Sequence, residues 1–128
     1  RETAAGRAAG VATAAALTQA ALADPQGAEA QTLRHAWRLL GRVVGDCALT
    51  CLPTGGVLLA GGILPRITDF LDEAAFRAAF DAKPPVAHAL RGVPIRLLIH
   101  DDAALAGMAA LAAEPGRYDI DWAARLWR

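Results

Sequence analysis

Residues 54–66, Thr-Gly-Gly-Val-Leu-Leu-Ala-Gly-Gly-Ile-Leu-Pro-Arg, set the fold class of this 128-residue chain. The run 57–60 is short, continuously apolar and bounded by glycine pairs, which is typical of a strand buried on both faces of a mostly parallel sheet. Pro65 suits the first turn of a helix, where its missing N–H has no partner to lose. The stretch therefore predicts a strand, a turn and the start of a helix.

A second strand is predicted over residues 94–100, where the sequence is again mainly apolar. Two such strands joined by helices form a βαβ unit, in which the strands are parallel. The sequence thus predicts an α/β fold with parallel strands near 57–61 and 95–99, flanked by helices. Two strands make an incomplete sheet, so we expect the chain to be a fragment of a longer one.

The longest helical pattern covers residues 27–51. Gly41 and Gly45 lie four residues apart within it, and each costs about 1 kcal/mol relative to Ala in a helix. We therefore expect another backbone to pack closely there. The apolar residues that recur at three- and four-residue steps predict one buried face, which consists of Leu33, Trp37, Leu40, Val44, Cys47 and Cys51.

Shorter helices are predicted on both sides of the two strands. Thr13 is the expected N-cap of the first, which ends before Pro25. Residues 65–71 and 73–83 form the next two, with Phe76 and Phe80 turned toward the core. A last helix over 103–113 has Asp102 as its expected N-cap.

Charge and composition exclude several classes of function. Thirteen basic and thirteen acidic residues give a formal net charge of zero, so nothing attracts nucleic acid or an anionic membrane. No apolar run approaches the length of a membrane span, and a cytoplasmic protein is expected.

Cys47 and Cys51 are spaced like a metal pair or a redox couple. Without a further soft ligand, we interpret them as small buried hydrophobes and assign no metal site.

Two groups of residues are candidates for chemistry. Gly61 and Gly62 end the first strand and would let a flat ring or a phosphate approach the backbone, although a plain tight turn has the same pattern. His100, Asp101 and Asp102 end the second strand, where a general base or a metal site is conceivable. We instead interpret the two aspartates as turn and cap residues, and no catalytic residue is assigned.

Five segments carry a wider pattern: Gly45-Asp46-Cys47-Ala48-Leu49-Thr50, residues 55–66, residues 76–83, Ile99-His100 and Leu105-Ala106-Gly107. In their order and spacing the chain resembles the bacterial glucokinase family, from residue 13 to residue 111. Two positions depart from the family pattern. Asp46 stands where the family usually has Asn, and Pro84-Pro85 follow Lys83 where it usually has Gly-Arg.

The resemblance implies part of an RNase H-like three-layer domain, as in the hexokinase, actin and Hsp70 superfamily. Residues 1–128 would be the carboxyl-terminal portion of its large domain, with 1–12 poorly packed and 114–128 a docked tail. The implied activity is ATP-dependent phosphorylation of glucose to glucose 6-phosphate. Gly61 and Gly62 would border the adenine and ribose, and Ile63 is expected to pack near them.

The same resemblance places the catalytic aspartate, the glucose ligands and the groups that hold Mg²⁺ and the phosphates upstream of this segment. The isolated chain is therefore expected to be inactive. The expected partners are glucose and ATP, with a homodimer left open. The alternatives are a non-catalytic sugar- or nucleotide-sensing regulator of the same fold and a purely structural α/β domain. ADP or polyphosphate as the phosphoryl donor also stays open.

Overall fold

A computed structural model of the chain describes residues 13–100 and 102–117. The expectations for residues 1–12, for Asp101 and for the tail 118–128 lie outside the described residues. The elements, in chain order, are α1 (Ala14–Ala23), α2 (Ala28–Cys51), β1 (Val57–Leu59), a 3-10 helix (Leu64–Phe70), α3 (Glu73–Asp81), a 3-10 helix (Ala87–Leu90), β2 (Ile95–Leu97), α4 (Ala103–Ala113) and a 3-10 helix (Pro115–Arg117). None of the described helices is both long enough and apolar enough to cross a membrane.

The two strands pair in parallel, as predicted, but each is only three residues long. Their register is Val57 opposite Ile95, Leu58 opposite Arg96 and Leu59 opposite Leu97. The prediction that β1 is buried on both faces is wrong, because Leu58 is 62% exposed. Side chains alternate across a strand, and the apolar core contacts only the face that carries Leu59, Ile95 and their neighbours.

Helix α1 begins and ends where the sequence predicts. The Thr13 hydroxyl oxygen accepts a hydrogen bond from the Ala16 N–H at 3.2 Å, so Thr13 is the N-cap. The helix ends one residue before Asp24, ahead of Pro25. Ala21 is fully buried in the cluster that includes Leu33 of α2. A small side chain at that point lets α1 lie against α2.

Helix α2 carries much of the core, and Trp37 is its largest buried residue. Trp37 is only 2% exposed, as expected, and its indole N–H donates to the Ile67 carbonyl oxygen at 2.9 Å. Its ring meets Phe76 edge to face, with the centroids 6.0 Å apart. Burial of the indole therefore leaves no polar atom of the side chain unpaired, and it ties α2 to the 3-10 helix after β1.

The close approach predicted at Gly41 and Gly45 is confirmed. A Cβ atom on Gly41 would lie 2.7 Å from the Phe76 carbonyl oxygen, and one on Gly45 would collide with the Phe80 carbonyl oxygen. Helix α3 supplies both carbonyl groups. Hydrogen is thus the only substituent that these two positions of α2 can carry without moving α3.

Cys47 and Cys51 do not lie on the buried face, so that part of the helix prediction is wrong. Both thiols are free and exposed, and Ala48 is buried instead. Successive residues of an α-helix turn by about 100°, so Cys47 lies about 200° around the axis from Gly45. Because α3 packs against the glycine side of α2, the two cysteines face the other way.

Helix α3 is shorter than predicted and is held by polar contacts at its end. The Asp72 carboxylate accepts from the Ala75 N–H at 2.9 Å and caps its start, and Phe76 and Phe80 are buried as expected. The helix ends at Asp81, before the expected residue 83. Lys83 then forms an ion pair with Asp46 at 2.6 Å. Asp46, which stands where the family usually has Asn, thus pairs with a residue on the other side of the contact between α2 and α3.

Helix α4 has no buried residue. Leu105 and Met108 are each about two-thirds exposed, and the Asp102 side chain makes no capping hydrogen bond, contrary to prediction. The prediction is right only in the position of Asp102, which lies directly before the helix. The described part of the chain therefore leaves α4 and the Leu58 face of the sheet without an apolar partner.

Replacing Gly45 by Ala should destabilise the protein by about 1–3 kcal/mol, because the new methyl group overpacks the contact with α3. The matched control is Gly107→Ala in α4, where a Cβ would meet no atom within 4 Å. That change should stabilise by about 0.5–1 kcal/mol through helix propensity. Urea midpoints of the two variants should move in opposite directions. Urea midpoints that move in the same direction in both variants would contradict the packing described for Gly45.

Candidate functional site

The carboxyl ends of β1 and β2 border an open cleft of about 730 Å³. Parallel strands place these ends at one edge of a sheet, which is where ligands of α/β proteins bind. The segment after β1 and the segment after β2 each supply one wall. The lining residues are Ala60, Gly61, Gly62, Pro65 and Arg66 on the first wall, and Leu98, His100, Asp102, Ala103 and Ala104 on the second.

Backbone hydrogen bonds hold the two walls at the same edge. The Leu98 N–H donates to the Leu59 carbonyl oxygen at 2.9 Å, one residue beyond the last residue of β2. At the other end of the sheet, the Val57 N–H donates to the Pro94 carbonyl oxygen at 2.8 Å. The cleft therefore opens at the point where the parallel pairing stops and the segments that follow β1 and β2 separate.

Gly61 and Gly62 line the cleft but differ in conformation. Gly61 has φ of +142°, a backbone region that is essentially restricted to glycine. Gly62 does not have a positive φ, and a Cβ on either residue would meet no atom within 4 Å. Gly61 is thus required by the turn. Gly62 leaves open space on a side of the backbone that nothing else in the described chain occupies.

Ile63, the third residue predicted for the site, is placed differently. It precedes the 3-10 helix Leu64–Phe70, is 65% exposed and is not among the residues that line the cleft. The structure thus brings Gly61 and Gly62 together in one wall and leaves Ile63 beside it, with its side chain free to contact solvent or a ligand.

Three polar residues line the cleft that the sequence analysis left out of the site: Arg66, His100 and Asp102. The Asp102 N–H donates to Nδ1 of His100 at 3.1 Å. Among the described residues, the Arg66 guanidinium forms no hydrogen bond or ion pair. Their positions just beyond the two strands are the sequence signal that could have identified them, because that edge binds ligands in this class of fold.

The described lining of the cleft contains few side chains that can ligate a metal ion. Within residues 13–100 and 102–117, no three His, Cys, Asp or Glu side chains are grouped so that they could hold a metal ion. Asp102 is the one carboxylate among the described lining residues. The cleft offers open backbone, an imidazole and a guanidinium, which are groups that bind a ligand by hydrogen bonds and charge.

A second cavity, of about 400 Å³, lies between the sheet and the helices. It is lined by Trp37, Leu59, Leu71, Glu73, Phe76, Arg77, Ile95 and Leu97. Arg77 is already engaged, since its guanidinium donates to the Asp81 carboxylate at 2.7 Å and to the carbonyl oxygens of Val93 and Leu90 at 2.7 and 2.8 Å. This cavity opens to solvent beside the exposed Glu73, and we interpret it as a depression next to the core, with Arg77 in a structural role.

The family model and the relatives that match this chain have the same name. A family model described as Glucokinase matches residues 1–115. A protein named Glucokinase from Sinorhizobium medicae (strain WSM419) is 42% identical over 123 residues, which are 96% of this chain and 36% of that protein. Proteins of the same name from Rhizobium meliloti (strain 1021) and Chelativorans sp. (strain BNC1) are 41% and 39% identical, over 89% and 88% of this chain and 34% and 33% of their own length.

The chain spans about a third of the length of the curated relatives it matches. No solved structure matches it.

The two glycines of the cleft should respond differently to alanine. Gly61→Ala should destabilise by about 1–3 kcal/mol, because alanine is strained at that φ. Gly62→Ala should be neutral, or stabilise by about 0.4–1 kcal/mol, since it restricts the unfolded chain without strain in the folded one. Chemical denaturation of both variants beside the parent chain measures this. Equal losses of stability would show that Gly62 is also a strained turn residue.

Proposed function

Because the chain belongs to the glucokinase family, we propose that it forms part of an enzyme that transfers the γ-phosphoryl group of MgATP to glucose, giving glucose 6-phosphate. Glucose and ATP are its proposed small-molecule partners, and the cytoplasm is its proposed location. Such a transfer depends on positioning the phosphoryl group and the attacking hydroxyl within one closed site. Each segment of the enzyme then contributes by holding one part of one substrate.

The part that we assign to this segment is binding of the adenosine of ATP. The single observation that carries the assignment is the open glycine pair, Gly61-Gly62, at the carboxyl edge of a parallel sheet. Without side chains, the two residues let a flat base or a ribose lie against the backbone. Ile63 is exposed directly after them and is proposed to pack against the base or the ribose from the side.

We assign no step of the chemistry to the described residues. They contain no group of acidic or histidine side chains that could hold Mg²⁺, so the metal would be held by the phosphates and by residues elsewhere in the enzyme. Asp102 is exposed at the mouth of the cleft and is not proposed as the general base. The contribution of this segment to the rate is therefore to orient the nucleotide.

We further propose that the segment is the carboxyl-terminal portion of the large domain, with an RNase H-like three-layer arrangement. Two features support this. Leu58 on one face of the sheet and Leu105 and Met108 on α4 are exposed, as they would be if more strands and another layer of helices completed the domain. The length of the relatives, about three times that of the matched segment, is consistent with such an arrangement.

Gly62→Val in the full-length kinase should raise the KM for ATP by about tenfold or more, equivalent to roughly 1.4 kcal/mol of lost binding. The valine side chain would occupy the space proposed for adenosine. Glucose affinity measured without nucleotide should stay within about twofold, because the sugar site is proposed to lie elsewhere. Steady-state kinetics and calorimetric titration with glucose provide the two measurements.

The matched control for this variant is Gly55→Val. Gly55 also has no positive φ, and a Cβ added there would meet no atom within 4 Å, but it precedes β1, at the opposite end of the sheet from the cleft. Its ATP kinetics should be unchanged. Normal ATP kinetics in a folded Gly62→Val enzyme would remove the nucleotide assignment. Equal effects at both glycines would show that the loss comes from general disturbance of β1.

The 128-residue chain alone should show no glucose-phosphorylating activity, since orienting adenosine does not stabilise the transition state of phosphoryl transfer. A coupled assay with glucose and MgATP tests this, with the full-length kinase as the positive control. Turnover by the short chain would contradict the proposal that the catalytic groups lie elsewhere. Absence of turnover in the full-length protein would instead favour a nucleotide- or sugar-sensing regulator.

A further inference from the structure

We propose that His100 is a nucleotide-binding residue that donates a hydrogen bond from Nε2 to the adenosine part of the ligand. The proposal rests on the proposed function, because it concerns the same cleft. It adds a residue on the second wall, contributed by the segment after β2, to the glycine pair on the first. The adenosine would then be held between a backbone surface and a side chain of defined orientation.

The tautomer of the neutral His100 ring follows from its contact with the backbone. The Asp102 N–H lies 3.1 Å from Nδ1 of His100. A backbone N–H can only donate, so Nδ1 must be the acceptor and cannot carry the proton of the neutral ring. The proton of the neutral imidazole is therefore on Nε2, which becomes the only donor that the ring can offer to a ligand.

The position of the ring makes that donor available. His100 is exposed and lines the same cleft as Gly61 and Gly62. Within the part of the chain that the structure describes, Nε2 forms no hydrogen bond, and the ring is in no ion pair. The hydrogen bond from the Asp102 N–H restrains the ring, so a ligand that uses Nε2 does not have to order a freely rotating side chain.

The chemistry of adenosine matches a single neutral donor. The adenine nitrogens N1, N3 and N7 and the ribose oxygens accept hydrogen bonds, and none of them carries a charge. Phosphate oxygens also accept, but the cleft has a separate cationic group, Arg66, that suits an anion better. We therefore assign His100 to the adenosine and not to the phosphates.

Two substitutions separate the contact with the ligand from the contact with the backbone. In His100→Gln, the side-chain amide can place an N–H near the former Nε2 and keep the donor. In His100→Asn, the shorter amide can place its oxygen near the former Nδ1 and keep the acceptor for Asp102. If His100 binds adenosine, Gln should preserve nucleotide affinity better than Asn. If it only supports the turn before α4, the order should be reversed.

The probes are ADP and adenosine, titrated into the full-length kinase by calorimetry. His100→Asn should weaken both by about three- to tenfold, the range expected for one lost neutral hydrogen bond, and His100→Gln should stay within about twofold of the parent. His88→Asn is the control, because His88 is also exposed but lies in the 3-10 helix Ala87–Leu90, and it does not line the cleft. The affinity of the His88→Asn variant for ADP and for adenosine should not change.

The other outcomes each overturn the proposal. Unchanged adenosine and ADP affinity in His100→Asn, with the expected loss in Gly62→Val, would reject His100 and leave the proposed function in place. A loss confined to ADP would make His100 a phosphate contact. A larger loss in Gln than in Asn would make it a support of the turn. Failure of the parent kinase to bind either probe would reject the proposed function and this inference together.

Discussion

The close contact between α2 and α3 at Gly41 and Gly45 is the constraint on which the core depends. The carbonyl oxygens of Phe76 and Phe80 lie where side chains of α2 would otherwise be. The buried core contains all three phenylalanines of the chain and Trp37, together with the small residues Ala21, Ala30 and Ala48. Because dispersion forces weaken steeply with distance, such a core is stable only when its elements approach closely. The two glycines permit that approach.

This helix pair is also hydrogen-bonded to segments that flank the two strands. Trp37 of α2 donates to the Ile67 carbonyl oxygen, in the 3-10 helix that follows the glycine pair. Arg77 of α3 donates to the carbonyl oxygens of Leu90 and Val93, which lead into β2. Trp37 thus connects the helix pair to the segment that follows the first wall, and Arg77 connects it to the segment that precedes β2, while its Nε donates to the Asp81 carboxylate.

A ligand site built in this way suits an enzyme that acts by positioning. Phosphoryl transfer gains from placing the donor and the acceptor within a small range of distances and angles. In the proposed role, the segment contributes a backbone surface at Gly61-Gly62 and the restrained ring of His100. Neither depends on a long flexible side chain. The proposed role thus rests on membership of the glucokinase family and on the open glycine pair at the edge of the sheet.

Features that depend on local pattern and residue size could be predicted from the sequence: the parallel pairing of the strands, the burial of Trp37, the close contact at Gly45 and the position of the glycine pair at the carboxyl end of β1. The exposure of Cys47 could not, because periodicity shows that a helix has a buried side while the neighbouring element sets its direction. The second wall of the cleft is not part of the predicted site, although the predicted parallel pairing places its residues at the same edge as the glycine pair. His100 is far from Gly61 in sequence, and the pairing of β1 with β2 brings the two to one edge. Contacts between residues distant in the chain exist only once the backbone is folded.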